Sequence, residues 1–360
     1  MGSASRPEYL APMSSRRRLL TFLSFALMVG VSAWVVADHA PPGGMPWLGG
    51  TVHAALLALV AFEIVTRAAK MQASASACGI PLRFGTACRV CLAGDFAAGV
   101  TPARSGAEPA RFLVLAEAGI APPARVLVLF LELFLEMWSL VLVCGGLALL
   151  FRGRGVTTAG LLAVVGGYST FVLGAGAVAW LLARHHAKGP PPPWFRAAAN
   201  RIRPTVRLHA GHWRSVQRTL RGVRAGVTAL RRARWRPMLQ AFACSVLHVL
   251  AKVAMLPLLV ILAAPAHPIT LDTMAPLVLW PLALFYGGVA VPAPGGGGFI
   301  EGAFAATLSG AIPGGLFAAA LLWWRFYTYY LYLLVGALAA GDAARRALRG
   351  PMPSPVVAVA

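Results

Sequence analysis

Two stretches of the sequence place charged side chains beside helix-breaking residues within otherwise apolar segments. The first, Pro102–Arg111, reads PARSGAEPAR, and the second, Pro292–Glu301, reads PAPGGGGFIE. Charge inside an apolar segment is costly and indicates function, and glycine N–H groups beside a helix start suit an anion such as phosphate. The sequence therefore predicts that both stretches contribute to one substrate-binding site. The residues are Arg104, Gly106, Glu108, Arg111, Gly296, Gly297 and Glu301.

Further charges lie in apolar segments outside these two stretches. Arg325 is predicted to hold an anionic group together with Arg104 and Arg111, while Glu108 and Glu301 position the arginines or exchange protons. Glu132 and Glu136 are four residues apart and would share one helix face, and Lys252 lies in the middle of an apolar segment. For these last three residues, a structural ion pair and a supporting role in function both remain open.

The composition predicts the elements that must position these charges. Of the 360 residues, 58% are hydrophobic and 12% are charged, whereas soluble domains carry about 25% charged residues. Several apolar stretches reach the roughly 20 residues that cross a bilayer as a helix. We therefore predict an all-α polytopic membrane protein with six full spans. They lie near Leu19–Ala37, Leu48–Thr66, Ala124–Phe151, Thr157–Ala183, Pro237–Ala263 and Gly315–Ala340.

Two more apolar regions, Phe84–Gly119 and Thr273–Gly310, are interrupted by glycine and proline and predict re-entrant hairpins. They overlay without gaps at a constant offset of 191 residues (291 − 100 and 310 − 119). The predicted topology opens the first hairpin to the cytoplasm and the second to the opposite side. Like-built units of opposite orientation are typical of inverted-repeat transporters, so residues 48–151 and 239–342 are predicted to be the two repeat units.

The basic residues predict the orientation of the chain. Arg67, Lys70 and Arg83 follow the second span, and the loop 184–236 carries thirteen Arg and one Lys without any Asp or Glu. Because basic loops stay in the cytoplasm, both termini and this loop are predicted to be cytoplasmic, in the inner membrane of a bacterium. The predicted domains are a tail at 1–18, one transmembrane domain at 19–342 and a tail at 343–360. The net charge of +21 is then a topology signal, and no nucleic-acid partner is expected.

Within the basic loop, apolar residues recur at helical spacing from Trp213 to Leu230 with arginines between them. This pattern favours an amphipathic helix lying on the anionic cytoplasmic leaflet, and the alternative is a loop that only sets topology. No metal or cofactor is expected. Cys88 and Cys91 form a C-x-x-C pair without a second ligand pair, and the glycine run lacks the Lys-Ser/Thr of a nucleotide-binding loop.

At these residues the chain resembles the flippase-like membrane domain of the lysylphosphatidylglycerol synthase family, which also occurs as stand-alone chains, some linked to hopanoid and glycolipid export. The matching stretches are Gly94–Arg111, Glu132 with Glu136, and Pro292–Glu301 followed by Arg325. The resemblance spans roughly residues 15–345, and Ala107 departs from it where a second glycine is usual. It implies lipid flipping and not aminoacyl transfer, which belongs to a separate soluble domain in two-domain members.

The expected function is therefore non-ATP lipid translocation and not enzymatic catalysis. The expected partners are membrane lipids with anionic or glycosylated headgroups, cytoplasmic lipid-biosynthesis enzymes and a second copy of the chain. The alternative is a non-transporting scaffold that binds lipid and recruits a cytoplasmic synthase through the basic helix. A third hypothesis is an integral-membrane transferase that acts on a lipid phosphate.

Overall fold

The computed structural model describes residues 15–153, 160, 162–193, 210–268, 270–291 and 293–349, and these residues form helices without any β-strand. Residues 1–14, 194–209 and 350–360 of the predicted tails and basic loop, together with Pro292, lie outside the described residues. The helices are α1 (Ser15–Asp38), α2 (Gly50–Ala77), α3 (Phe84–Val100), α4 (Ala107–Glu117), α5 (Pro122–Leu150), α6 (Gly167–His186), α7 (Ala210–Arg231), α8 (Trp235–Ala263), α9 (Leu271–Gly287), α10 (Phe299–Leu308), α11 (Gly314–Arg325) and α12 (Leu331–Arg349). A π-helical turn, Phe326–Tyr330, joins α11 to α12.

The prediction of an all-α polytopic membrane protein is confirmed. Within the described residues, four helical segments are long and apolar enough to cross a bilayer, and each coincides with a predicted span. They are Gly50–Ala77, Pro122–Leu150, Ala163–His186 and Trp235–Ala263. The other two predicted spans fall on α1 and on α11 with its π-helical continuation into α12.

Helices α2 and α8 form the central pair of the fold and run antiparallel. At one end, the backbone N–H of Arg234, which precedes α8, donates to the carbonyl of Ala77, the last residue of α2, at 3.1 Å. Halfway along both helices, Nδ1 of His248 lies 2.8 Å from a carboxylate oxygen of Glu63. The last residue of α2 and the last residue of α8 therefore lie at opposite ends of the pair.

The two predicted hairpins follow from this arrangement. The hairpin α3–α4 continues from the Ala77 end of the central pair, and α9–α10 continues from the Ala263 end. Helices α4 and α10 contain only 11 and 10 residues. At 1.5 Å per residue they are about 15 Å long, roughly half the thickness of the hydrocarbon core. Each hairpin therefore turns back within the bilayer, and the two enter from opposite ends.

The structure shows that the offset between the two repeat units is not constant, contrary to the gap-free overlay. Corresponding helices start 185 residues apart for α2 and α8 (235 − 50), and 187 apart for α3 and α9 (271 − 84). The offset is 192 for α4 and α10 (299 − 107) and for α5 and α11 (314 − 122). The second unit has gained residues around its turns, including the 3-10 turn Gly288–Ala290 after α9. A gap-free overlay therefore finds the repeat but not its residue correspondence.

The interpretation of Arg67 and Lys70 as residues of a cytoplasmic flank is also wrong. Helix α2 continues eleven residues beyond the predicted end at Thr66 (77 − 66). Arg67 is 5% exposed and Lys70 is fully buried. Both side chains are consequently part of the interior charge network described below, and only Arg83 of the three remains an exposed basic residue.

The expected amphipathic helix exists as α7, but its apolar stripe does not face lipid. Leu220 is buried in a cluster with Ala183 and Ala187 at the end of α6, and Val216 and Val223 pack against the same cluster. The apolar stripe of α7 therefore stabilises its attachment to α6, which leaves the arginine-rich side of the helix exposed.

Candidate substrate site between the hairpin tips

The tips of the two hairpins contact each other, with Pro294 of the second tip buried and Pro102 of the first tip exposed. A single antiparallel β-bridge pairs Pro102 in the first tip with Pro294 in the second. Each tip then leads through a glycine N-cap, Gly106 or Gly298, into its short helix. These residues are 192 apart in both pairs (294 − 102 and 298 − 106), so equivalent parts of the two repeat units are in contact. The two hairpins, which enter from opposite ends of the central helix pair, are therefore in direct contact at their tips.

Both tips use left-handed backbone at the same two positions. In the second tip, Gly295 and Gly296 have φ values of 59° and 67°. The equivalent residues of the first tip, Ala103 and Arg104, have φ values of 51° and 55°. Non-glycine residues adopt this conformation at a cost of about 1–2 kcal/mol. The backbone of Ala103 and Arg104 is therefore strained, and strained backbone of this kind concentrates at functional sites.

The three predicted glycines have packing roles in this closed arrangement. A Cβ on Gly297 would overlap the side chain of Met28 in α1, and one on Gly106 would crowd the side chain of Thr101. Gly296 lies against Ile300. The backbone N–H groups of Gly296 and Gly297 donate within their own turn, at 3.1 Å each. Their N–H groups are therefore not free for an anion while the tips are closed.

Glu301 and Arg325 form a buried ion pair behind the second tip. Nε of Arg325 donates to a carboxylate oxygen of Glu301 at 2.7 Å, and the hydroxyl of Ser32 donates to the same oxygen at 2.9 Å. The other oxygen accepts from the backbone N–H of Gly298 at 2.7 Å. Because Glu301 caps α10 and holds Arg325 at once, it links the second tip to α1 and α11. The position of the Arg325 guanidinium is thus fixed by a charge-assisted network.

A second charged cluster surrounds Glu63 at the midpoint of α2. One carboxylate oxygen lies 3.6 Å from Arg67, 2.8 Å from His248 and 3.7 Å from Lys252, and the other accepts from the Tyr332 hydroxyl at 2.6 Å. Arg67 in turn makes a bidentate pair with Asp95 of α3, at 2.6 and 2.7 Å. This cluster connects α2, α3, α8 and α12 across the middle of the bilayer.

Glu108 and Arg111 belong to a third cluster with the two predicted supporting carboxylates. Arg111 lies 3.3 Å from Glu108 and 3.1 Å from Glu132. Lys70 bridges Glu132 at 2.5 Å and Glu136 at 2.8 Å. Arg111 reaches these partners across α3 at Gly94, where a Cβ would collide with its side chain. The structure thus unites the predicted charges of the first hairpin with Glu132 and Glu136.

A cavity of about 60 Å³ lies between the tips and the Glu63 cluster. Its ionisable lining consists of Arg67, Asp95, Arg104, Lys252 and Arg325. Four cations and one carboxylate give this lining a formal charge of +3 (4 − 1). Glycine and aromatic side chains complete the wall, among them Gly295, Phe285, Trp324 and Tyr329. The volume suffices for a few water molecules but not for a lipid headgroup.

Arg104 is the cation of this cavity that lacks an acidic partner. Within the described residues no carboxylate lies within 4.0 Å of its guanidinium, which instead stacks over Phe285 at 4.8 Å. Lys252 contacts the same ring at 4.0 Å and reaches Glu63 only at 3.7 Å. The buried indole N–H of Trp324 also has no hydrogen-bond partner among the described residues. Together these donors can receive the oxygen atoms of an anionic group.

The structure assigns the predicted site residues to different places. Arg104, Arg325 and Lys252 line the cavity, whereas Glu301 acts behind it and Glu108 and Arg111 lie in the third cluster. Among the acidic, basic and histidine residues of these networks, sequence reasoning missed Glu63, Arg67, Lys70, Asp95 and His248. Glu63 carried a usable signal, since a lone carboxylate in the middle of an apolar span is as informative as Lys252.

The comparison with known families agrees with this geometry. No curated protein matches the chain. The family described as the lysylphosphatidylglycerol synthase transmembrane region matches residues 19–336. This range includes both hairpins, the central helix pair and every ionisable residue that lines the cavity. The chain is therefore a member of the lysylphosphatidylglycerol synthase transmembrane-region family.

Proposed function

We propose that this membrane protein moves a lipid with an anionic or glycosylated headgroup across a bacterial inner membrane, without ATP hydrolysis and without changing the lipid chemically. The observation that carries the proposal is the position of Arg104, an uncompensated cation in strained backbone at the contact of two oppositely inserted hairpins. Family membership supports a lipid-related role.

The charges suit a headgroup that passes through while its acyl chains stay in the bilayer. A phosphate that reaches the cavity would contact the guanidinium of Arg104 and the ammonium of Lys252. The guanidinium of Arg325, which Glu301 holds in position, would lie in the same lining. Among the described residues, the other charges of the cavity and of the three clusters are paired, which keeps the cost of burying them low. A single uncompensated cation attracts an anion without holding it so strongly that release becomes slow.

The closed tips imply that transport requires them to separate. The cavity is too small for a headgroup, and the two tips are in contact at the bridge between Pro102 and Pro294. In inverted-repeat transporters one repeat rocks against the other around a central site. Here the moving units would be α2–α5 and α8–α11, and their contact at the tips would open first to one end and then to the other.

The proposal is tested by flipping assays in proteoliposomes that contain labelled phosphatidylglycerol. Arg104→Gln removes the uncompensated charge, and Arg83→Gln makes the same charge change at an exposed position outside the cavity. A lost charge-assisted hydrogen bond is worth about 1.5–3 kcal/mol, so Arg104→Gln should slow flipping by roughly 10-fold or more. Arg83→Gln should retain the wild-type rate. Flipping by the wild-type protein no faster than in empty liposomes would refute the proposal.

The scaffold hypothesis rests on a different observation, the exposed arginines of α7. It expects that removing these arginines abolishes function in cells while Arg104→Gln has no effect. Complementation of a deletion strain with both variants distinguishes the two functions, since a translocase depends on Arg104 even when every partner protein still binds.

A further inference from the structure

A second cavity lies away from the hairpin tips, at the Ala77 end of the central helix pair. Its volume is about 680 Å³, within the range of ligand-binding clefts. It is open to the surface and is lined by the end of α2, the segment after α6, one side of α7 and the turn before α8. Its ionisable side chains other than Cys78 are all basic: Lys188, Arg221, Arg224, Arg232 and Arg234. We call it the basic cavity.

One side of α7 supplies most of this charge. Arg221, Arg224, Thr228 and Arg232 line the cavity, and their spacing of three and four residues places them on one face of the helix, which Arg232 directly follows. The opposite, apolar stripe is buried against α6. The arginines of this face are therefore directed by the packing of α7, and do not belong to an unstructured basic loop.

The wall of the basic cavity is fixed by hydrogen bonds. The carbonyl of Gly189 accepts from the indole of Trp213 at 3.1 Å and from the side-chain amide of Gln217 at 2.6 Å, which ties α7 to the segment after α6. The backbone N–H of Arg234 donates to the carbonyl of Ala77, which ties the start of α8 to the end of α2. The backbone segments that carry the five exposed cations are thus held around one space.

The electrostatics of this space favour an anion with several oxygen atoms. Five like charges without a carboxylate in the lining repel one another, and bound anions relieve this repulsion. Arg234 is the N-cap of α8, whose first turn holds no acidic residue, so the positive end of the helix dipole adds to the field. Guanidinium groups match phosphate oxygens in pairs.

We propose that the basic cavity is a binding site for a phosphate group, presented by an anionic lipid headgroup at the membrane surface or by a soluble phosphate ester. The cavity lies at the ends of membrane-spanning helices, which is the depth of lipid headgroups. This site is separate from the one between the hairpin tips, and it does not depend on transport.

Cys78 lines the basic cavity and reports its occupancy. Burial raises the pKa of its thiol to about 11, so alkylation is slow and is best followed at mildly alkaline pH. The experiment uses the full chain in neutral detergent, with the other four cysteines replaced by alanine, and measures labelling of Cys78 by N-ethylmaleimide. The probes are short-chain phosphatidylglycerol, glycerol phosphate and, as a control without a phosphate group, short-chain diacylglycerol.

Short-chain phosphatidylglycerol at about ten times its Kd should slow labelling about tenfold, because only unliganded protein reacts. Diacylglycerol, which has no phosphate group, should leave the rate unchanged. Equal protection by glycerol phosphate would show that the phosphate alone is recognised, and protection by the lipid only would show that its glycerol or tails are needed. The proposal would be overturned if no probe slowed labelling relative to the protein without ligand, or if all three probes slowed it equally.

Two triple variants distinguish a specific binding site from nonspecific electrostatic attraction. Arg221→Gln, Arg224→Gln and Arg232→Gln together remove three charges of the cavity. The matched control removes three exposed charges that do not line it, through Arg83→Gln, Arg231→Gln and Arg236→Gln. Only the first triple should lose protection, while both should label like the parent without ligand. Equal loss of protection in both triples would overturn the proposal, since it would mean that net charge alone attracts the anion.

Discussion

Replacing Arg104 by glycine should remove transport without destabilising the protein. Arg104 has a φ of 55°, and left-handed backbone costs a non-glycine residue about 1–2 kcal/mol. Glycine relieves this strain but adds about 0.4–1 kcal/mol of chain entropy to the unfolded state. Loss of the stacking on Phe285 costs about 0.5–1 kcal/mol more. These contributions nearly cancel, so the apparent Tm of Arg104→Gly in detergent should stay close to the wild-type value.

Ala103→Gly is the matched control. Ala103 has nearly the same backbone conformation, with a φ of 51°, and carries no charge. Its replacement should leave the Tm unchanged or raise it, and flipping of labelled phosphatidylglycerol should continue. Arg104→Gly should slow flipping by roughly 10- to 150-fold, which corresponds to the about 1.5–3 kcal/mol of a charge-assisted hydrogen bond.

The reasoning is refuted in either of two ways. If Arg104→Gly flips lipid at the wild-type rate, the uncompensated cation does not contact the headgroup. If Ala103→Gly loses as much activity as Arg104→Gly, the conformation of the tip matters and the charge does not.

Three further variants test the networks that hold the site. Glu301→Gln leaves Arg325 buried without its counter-charge and should cost about 3–5 kcal/mol, seen as a lower Tm, whereas Arg325→Met in the same protein should restore part of it. Lys70→Met leaves the buried Glu132 and the half-buried Glu136 without their shared cation and should lower the Tm by a similar mechanism; an unchanged Tm would show that water replaces the lysine. Gly297→Ala should be destabilised by about 1–3 kcal/mol through overlap with Met28, and Met28→Ala should rescue it if the overlap is the cause.

The fold class and the broken hairpins could be predicted from the sequence because both depend on local properties. Apolar length marks the spans, and glycine and proline mark the interruptions in them. The residue correspondence between the repeats could not be found this way, since it depends on turn lengths that differ by several residues. The shift from 185 to 192 in the starting positions of corresponding helices becomes visible only in three dimensions.

The pairing of the buried charges also could not be predicted from the local sequence. Arg67 and Lys70 follow an apolar run, so their positions are typical of a cytoplasmic flank, yet α2 continues and buries both. Their partners, Asp95 and Glu132, are 28 and 62 residues further along the chain (95 − 67 and 132 − 70). No local pattern indicates such pairs. By contrast, the position of Arg104 at a helix break could be predicted from the sequence, and the structure places its side chain in the lining of the cavity.

A reversible disulfide between the hairpin tips tests most directly the claim that transport requires the tips to separate. In a cysteine-free background, Pro102→Cys with Pro294→Cys places two thiols at the β-bridge, where paired Cα atoms are about 4.5–5.5 Å apart and can form a disulfide. If transport requires the tips to separate, oxidation should stop flipping in proteoliposomes and a reductant should restore it, while either single cysteine remains active under both conditions. Wild-type flipping by the fully cross-linked protein would contradict the account.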